Sequence, residues 1–170
     1  MRPISQNPIN WMQASLDCSE RGLFKCKKIF NCLAATWAAE QNQEKNLILK
    51  REPLESTLLL ANCYFSTNQY DHAAFILKEF ELENPKAYFV KLYSTFLAGE
   101  TRNDGSKIWH NIYTELKPHF AAQKLDPWLN YLYGFICKKL GFKDVSKEAL
   151  ILSVMAYPWN WSAWMELSTL

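Results

Sequence analysis

Between Pro53 and Pro85 apolar residues recur at intervals of three and four: Leu58, Leu59, Ala61, Tyr64 and Phe65, then Ala73, Ala74, Leu77 and Phe80. That period lays them along one side of a helix, so the segment predicts two amphipathic helices. Ser66, Thr67, Asn68 and Gln69 form the turn between them. The second helix should stop before Asn84-Pro85, because proline disfavours helical backbone in its predecessor. Two stretches break the period and predict loops or longer helices. Gly99 to Gly105 carries turn residues ahead of a helix face made by Trp109, Ile112, Tyr113 and Leu116, and Gly141 to Ser146 predicts an extended turn before Lys147-Glu148-Ala149. Near the start, Trp11, Ala14, Ser15 and Cys18, followed by Leu23 to Ala39, predict a fainter hairpin, joined to the rest by the polar segment Gln41 to Arg51. No stretch alternates as a strand would.

The hairpin repeats. With Leu54 at position one, Leu60, Ala61, Tyr64, Ala73 and Pro85 fall at seven, eight, eleven, twenty and thirty-two, which are tetratricopeptide positions. Small residues at eight and twenty let paired helices approach closely, while Tyr and Leu fill the seam. Phe80 departs, standing where a small residue is usual. The same register places Tyr93 and Ser94 at seven and eight of a repeat from Ala87, and Tyr133 and Gly134 there in a repeat from Pro127. One period on, Trp164, Leu167 and Ser168 mark a further first helix. The chain therefore predicts one all-α domain over 1–170, a tetratricopeptide-repeat solenoid of antiparallel helix hairpins. Its parts are a degenerate hairpin at 8–40, repeats near 54–87, 87–122 and 127–160, and the start of another at 161–170. A lone first helix cannot bury its apolar side, so the reading is a fragment of a longer solenoid. Ala61, Tyr64, Ala73, Leu77, Ser94, Gly134 and Ala149 are the predicted packing residues.

Composition agrees with helices. The 170 residues are 49% hydrophobic and include only five glycines and seven prolines. Lys and Arg number 19 against 17 Asp and Glu, a net charge of +2 that names no nucleic-acid or membrane partner. Five cysteines, Cys18, Cys26, Cys32, Cys63 and Cys137, show no C-x-x-C spacing and sit among apolar residues, which favours a reducing intracellular compartment. The polar first ten residues lack a secretory signal, and Pro158 with three polar residues interrupts the uncharged run from Ala149 to Met165, so no membrane span is predicted.

Chemistry is sparse. His72, His110 and His119 fall on different elements and pair at metal spacing with neither His nor Cys, and there is no phosphate loop or nucleophile elbow. The reading is a non-enzyme without cofactor or metal. Asn160-Trp161-Ser162 reads as a chance tripeptide at a helix start rather than a glycan acceptor, and Lys25, Lys27 and Lys28 as a solvated face. The inner face is more informative. Positions two, five, nine and twelve of the first helices read Ile9, Met12, Leu16, Ser19; Glu55, Leu58, Asn62, Phe65; Tyr88, Lys91, Thr95, Ala98; and Trp128, Tyr131, Phe135, Lys138. Nine of these sixteen are bulky hydrophobes or aromatics, enough for a patch that either winds shut on itself or is covered by a partner. The partner-contact residues so predicted are Met12, Leu16, Leu58, Asn62, Phe65, Tyr88, Trp128, Tyr131 and Phe135. A clamp for a terminal carboxylate is disfavoured, because Leu58 stands where such a clamp needs a lysine.

Particular stretches resemble a known family. Cys18-Ser19-Glu20-Arg21-Gly22-Leu23, Ala87-Tyr88-Phe89 through Leu97-Ala98-Gly99-Glu100, Tyr131-Leu132-Tyr133-Gly134, Lys147-Glu148-Ala149 and Trp161-Ser162-Ala163-Trp164-Met165-Glu166-Leu167 are similar to the tetratricopeptide subunit eight of the anaphase-promoting complex, a ubiquitin ligase of mitosis. The resemblance implies a non-catalytic scaffold, nuclear and cytoplasmic, that homodimerises through N-terminal repeats. It also implies stacking with other tetratricopeptide subunits and a pocket for a short basic activator motif. The alternative is a monomeric adaptor that takes a helix or extended peptide in its groove.

Overall fold

The structure, a computed structural model, describes residues 51–102 and 104–170, with side chains from residue 57 onward. Every regular element among them is helical: α1 (Arg51–Ser66), α2 (Tyr70–Ile76), α3 (Pro85–Arg102), α4 (Gly105–Ala121), α5 (Pro127–Lys139), α6 (Lys143–Ala156) and α7 (Trp161–Ser168). The all-α class is as the periodicity predicts. The first hairpin at 8–40, Met12, Leu16 and the lysine run from Lys25 to Lys28 lie outside the described residues. The chain divides into two compact units, Met1–Lys78 and Glu79–Leu170, each considered by itself.

Three helix ends use one device. Asn68, Gln123 and Gly141 have φ of 58°, 53° and 84°. Around each, the next N–H reaches back five residues: Gln69 N to Tyr64 O at 2.9 Å, Lys124 N to His119 O at 3.0 Å, and Phe142 N to Cys137 O at 2.8 Å. A left-handed residue there satisfies carbonyls that the helix end would leave without partners. Two starts are capped by side chains: Asp126 accepts from Leu129 N at 2.7 Å, and Asn160 from Ala163 N at 3.4 Å.

In the first unit α1 packs on α2 through Ala61, Ala73 and Leu77, all fully buried. Tyr64 is half-buried and stacks on His72 with ring centroids 5.4 Å apart. Here α2 ends at Ile76, not before Asn84-Pro85 as the apolar spacing predicts. At Lys78 the backbone bond has tightened to an i−3 partner, Phe75 O at 3.3 Å. The period marks a shared face, and a turn that still buries Leu77 satisfies it as well as a longer helix.

In the second unit α3 pairs with α4 and α5 with α6, antiparallel in both cases. Tyr88 meets Glu115 while Gly99 meets Ile108, and Ser153 Oγ donates to Pro127 O at 2.7 Å while Ser146 Oγ donates to Gly134 O at 2.7 Å. The core joins Leu92 and Phe96 of α3, Ile112 and Leu116 of α4, and Leu129, Leu132, Tyr133 and Ile136 of α5, with Ala149 of α6. Each buried aliphatic side chain contributes about 1.5–3 kcal/mol. A separate, smaller cluster of Leu150, Val154 and Ala163 seats α7.

At both breaks in the period the longer-helix alternative holds. Helix α3 runs on through Gly99, Glu100 and Thr101 to Arg102, and the glycine serves packing: a Cβ at Gly99 would stand 2.4 Å from Ile108 Cδ1. Helix α6 begins at Lys143, so the extra residues before Ala149 lengthen the helix and the connection is Leu140, Gly141 and Phe142.

Candidate interaction surface

Aromatic residues recur on α3 at 89, 93 and 96 and on α5 at 128, 131 and 135, each set on one helical stripe. The two helices run in the same direction, so the stripes lie side by side. Their rings form an unbroken chain. Tyr157, just past α6, lies 5.3 Å from Trp128; Trp128 is 6.3 Å from Phe89, which stacks on Tyr93 at 5.5 Å. Tyr93 stacks on Phe96 at 6.2 Å, Phe96 meets Phe135 edge-to-face at 5.3 Å, and Phe135 stacks on Tyr131 at 6.2 Å. Separations of this kind are favourable beyond the area they bury. Phe96 is buried and anchors the strip, Phe89, Tyr93, Tyr131 and Phe135 are half-buried, and Trp128 is 41% exposed.

Lysines close one end of the strip. Lys139 Nζ lies 5.7 Å from the Phe135 ring centroid and 5.4 Å from that of Trp109. An open cavity of about 600 Å³ follows, lined by Phe135, Lys138, Lys139, Glu166 and Thr169. Burial, the nearby Tyr93 and the Glu166 carboxylate push the Tyr131 hydroxyl up to about 12, so it remains a neutral phenol across physiological pH.

The predicted contact residues do not all reach this surface. Trp128, Tyr131 and Phe135 do. Tyr88 does not: it is 3% exposed, and its hydroxyl donates to Glu115 Oε1 at 2.8 Å, which makes it a core residue tying α3 to α4. Burial, reinforced by Glu115, raises its pKa. Ala98 is likewise buried. In the first unit, Leu58 is buried at 9% exposure, Asn62 is half-buried, and Phe65 packs edge-to-face on Tyr70 at 5.4 Å. Local burial thus accounts for part of the apolar inner face. Of the predicted packing residues in the second unit, Ser94, Gly134 and Ala149 are all buried.

Sequence reading missed Phe89, Tyr93 and Tyr157. The i, i+4, i+7 spacing of Phe89, Tyr93 and Phe96 was the available signal for α3. The unburied apolar side expected at the last helix is present, with Met155 74%, Trp159 82% and Trp161 73% exposed. Asn160 sits inward, its Nδ2 donating to Ser153 Oγ at 3.0 Å. Among the described residues no group of three His, Cys, Asp or Glu could hold a metal ion, and no helix is long and apolar enough to cross a membrane. What the surface offers is ring area and lysine charge, which suits recognition of another chain.

Comparison with known proteins shows what this chain is similar to. A sequence model described as anaphase promoting complex subunit 8 / Cdc23 matches residues 36–170. The anaphase-promoting complex subunit 8 of Arabidopsis thaliana is 32% identical over 127 residues, covering 66% of this chain and 22% of that protein. The cell division cycle protein 23 homolog of Homo sapiens is 33% identical over 129 residues, covering 65% and 21%. A shorter match to the anaphase-promoting complex subunit 8 of Dictyostelium discoideum is 44% identical over 46 residues, 27% of this chain and 8% of that one. The chain thus spans about a fifth of the length of the first two relatives.

Proposed function

The chain belongs to the anaphase promoting complex subunit 8 / Cdc23 family, and on that premise we propose that it is a non-catalytic scaffold module of that ubiquitin ligase, supporting ubiquitination of cell-cycle proteins in the nucleus and cytoplasm. The family match over residues 36–170 carries this reading. Its working surface is the aromatic strip of α3 and α5. The partner is a second copy of the chain, whose apolar helices cover the strip, with other tetratricopeptide subunits and an activator's basic motif as further partners. Half-exposed rings centred on Trp128, Tyr131 and Phe135 support it, because aromatic anchors dominate interface energy and a two-fold contact uses each of them twice.

Sedimentation equilibrium tests the proposal. A dimer of the 19.9 kDa chain is expected at tens of micromolar, and Trp128→Glu is expected to yield a folded monomer, because each interface would bury two unpaired carboxylates. A monomeric wild type would favour the adaptor reading, and a Trp128→Glu variant that stays dimeric would remove the strip from the interface.

A further inference from the structure

Helix α7 is held unlike the other helices of the second unit. It has eight residues, fewer than the roughly 12–15 that sustain an isolated helix in water, and Ala163 is its buried residue. Its apolar contacts form the small cluster with Leu150 and Val154, apart from the main core. Polar contacts hold both of its ends. At the start, Asn160 is 1% exposed; its Oδ1 caps Ala163 N, and its Nδ2 donates to Ser153 Oγ, which in turn donates to Pro127 O. At the finish, α7 has no basic residue in its last turn, and α5 supplies the cation instead. Lys138 Nζ donates to Glu166 Oε2 at 2.7 Å, to Glu166 O at 3.2 Å and to Thr169 Oγ1. One ammonium group thereby neutralises a carboxylate and caps the negative end of the helix. Both partners are 25% exposed at their side chains, so the pair is partly sheltered from solvent.

We infer that Lys138 is a charge latch that straps α7 onto α5 and α6, so that α7 docks and undocks as one piece while the hairpins beneath stay folded. Undocking removes Glu166 and Thr169 from the wall of the cavity beside Phe135 and bares Leu150 and Val154. The latch thus sets how much apolar surface lies open at the lysine end of the aromatic strip. It does not depend on the strip being a dimer contact.

Hydrogen exchange of the whole 170-residue chain, followed by mass spectrometry, tests the latch. Lys138→Met keeps the aliphatic stem and removes the charge. Amides of residues 161–169 are expected to exchange about tenfold faster, since hydrogen bonds to charged groups are worth more than neutral ones. Lys138→Arg should stay within a few-fold of wild type, and amides of 127–156 should not change. Unchanged exchange at 161–169 in Lys138→Met would overturn the inference. So would an equal acceleration across 127–156, which would make Lys138 a contact of general stability. If Lys138→Met does not fold, Glu166→Gln gives the same reading: acceleration confined to 161–169 supports the latch, and none refutes it.

Discussion

Gly134→Ala isolates a close approach between α5 and α6. A Cβ at Gly134 would lie 2.8 Å from Leu150 Cγ, 3.1 Å from Leu150 Cδ2 and 3.1 Å from the backbone oxygen of Ser146. None of these gives way easily, because Cγ is the branch point of a fully buried side chain and the carbonyl belongs to α6 itself. The two helices must part, stretching the 2.7 Å bond from Ser146 Oγ to Gly134 O. Overpacking of this kind costs up to about 3 kcal/mol, and the helix preference of Ala over Gly returns about 1 kcal/mol. The net expectation is a loss of about 2 kcal/mol. Gly99→Ala is the internal control. There the nearest atom is Ile108 Cδ1 at 2.4 Å, the free end of a chain that can rotate away, and the other two are at 3.3 Å. Overpacking and helix preference then nearly cancel, at about 1 kcal/mol each. Urea unfolding followed by tryptophan fluorescence, with Trp128 on α5 as a reporter, compares the two variants with wild type. A Gly134→Ala protein no less stable than Gly99→Ala would refute the argument that close helix approach fixes this glycine.

Ser94 Oγ is buried and without a hydrogen-bond partner, so Ser94→Ala should raise stability by about 1 kcal/mol in the same assay. Asp126 has its carboxyl pKa raised by burial, against the lowering effect of the backbone N–H groups of Leu129 and Trp128. A raised folded-state value means that its stabilising share is full below the ordinary carboxylate pKa and is lost as pH rises through the folded value. Asp126→Asn, which keeps a capping oxygen, should therefore gain in melting temperature relative to wild type at pH 7, and that gain should vanish below the ordinary carboxylate range; a gain that grows on acidification would reverse the assignment. Cys137 is buried and its thiol is pushed up to about 11, so it should resist maleimide at pH 8 in folded protein and react once urea unfolds the chain, read site by site by mass spectrometry. Gln123 pays for a φ of 53°, and Gln123→Gly should stabilise by about 1 kcal/mol.

How much was legible follows from what is local. Apolar spacing placed the helices of both hairpins from α3 to α6, because a 3.6-residue period shows wherever one side of a helix is buried. The caps at Asp126 and Asn160, which the periodicity does not show, involve only neighbouring residues. Loop lengths were less legible: Gly99 looks like a turn residue until Ile108 is seen against it, and the residues after Gly141 look like loop until α6 is seen to absorb them. The contact surface was the least legible part. Repeat positions put Tyr88 and Trp128 on the same lining, yet Tyr88 turns into the core to meet Glu115 and Trp128 remains exposed. Periodicity counts residues around one helix axis, whereas exposure depends on where the neighbouring helices sit and which side chains they bring. The chain's own pattern therefore determined that it is built of helix hairpins, and packing within the second unit decided which aromatic rings were left for another molecule to touch.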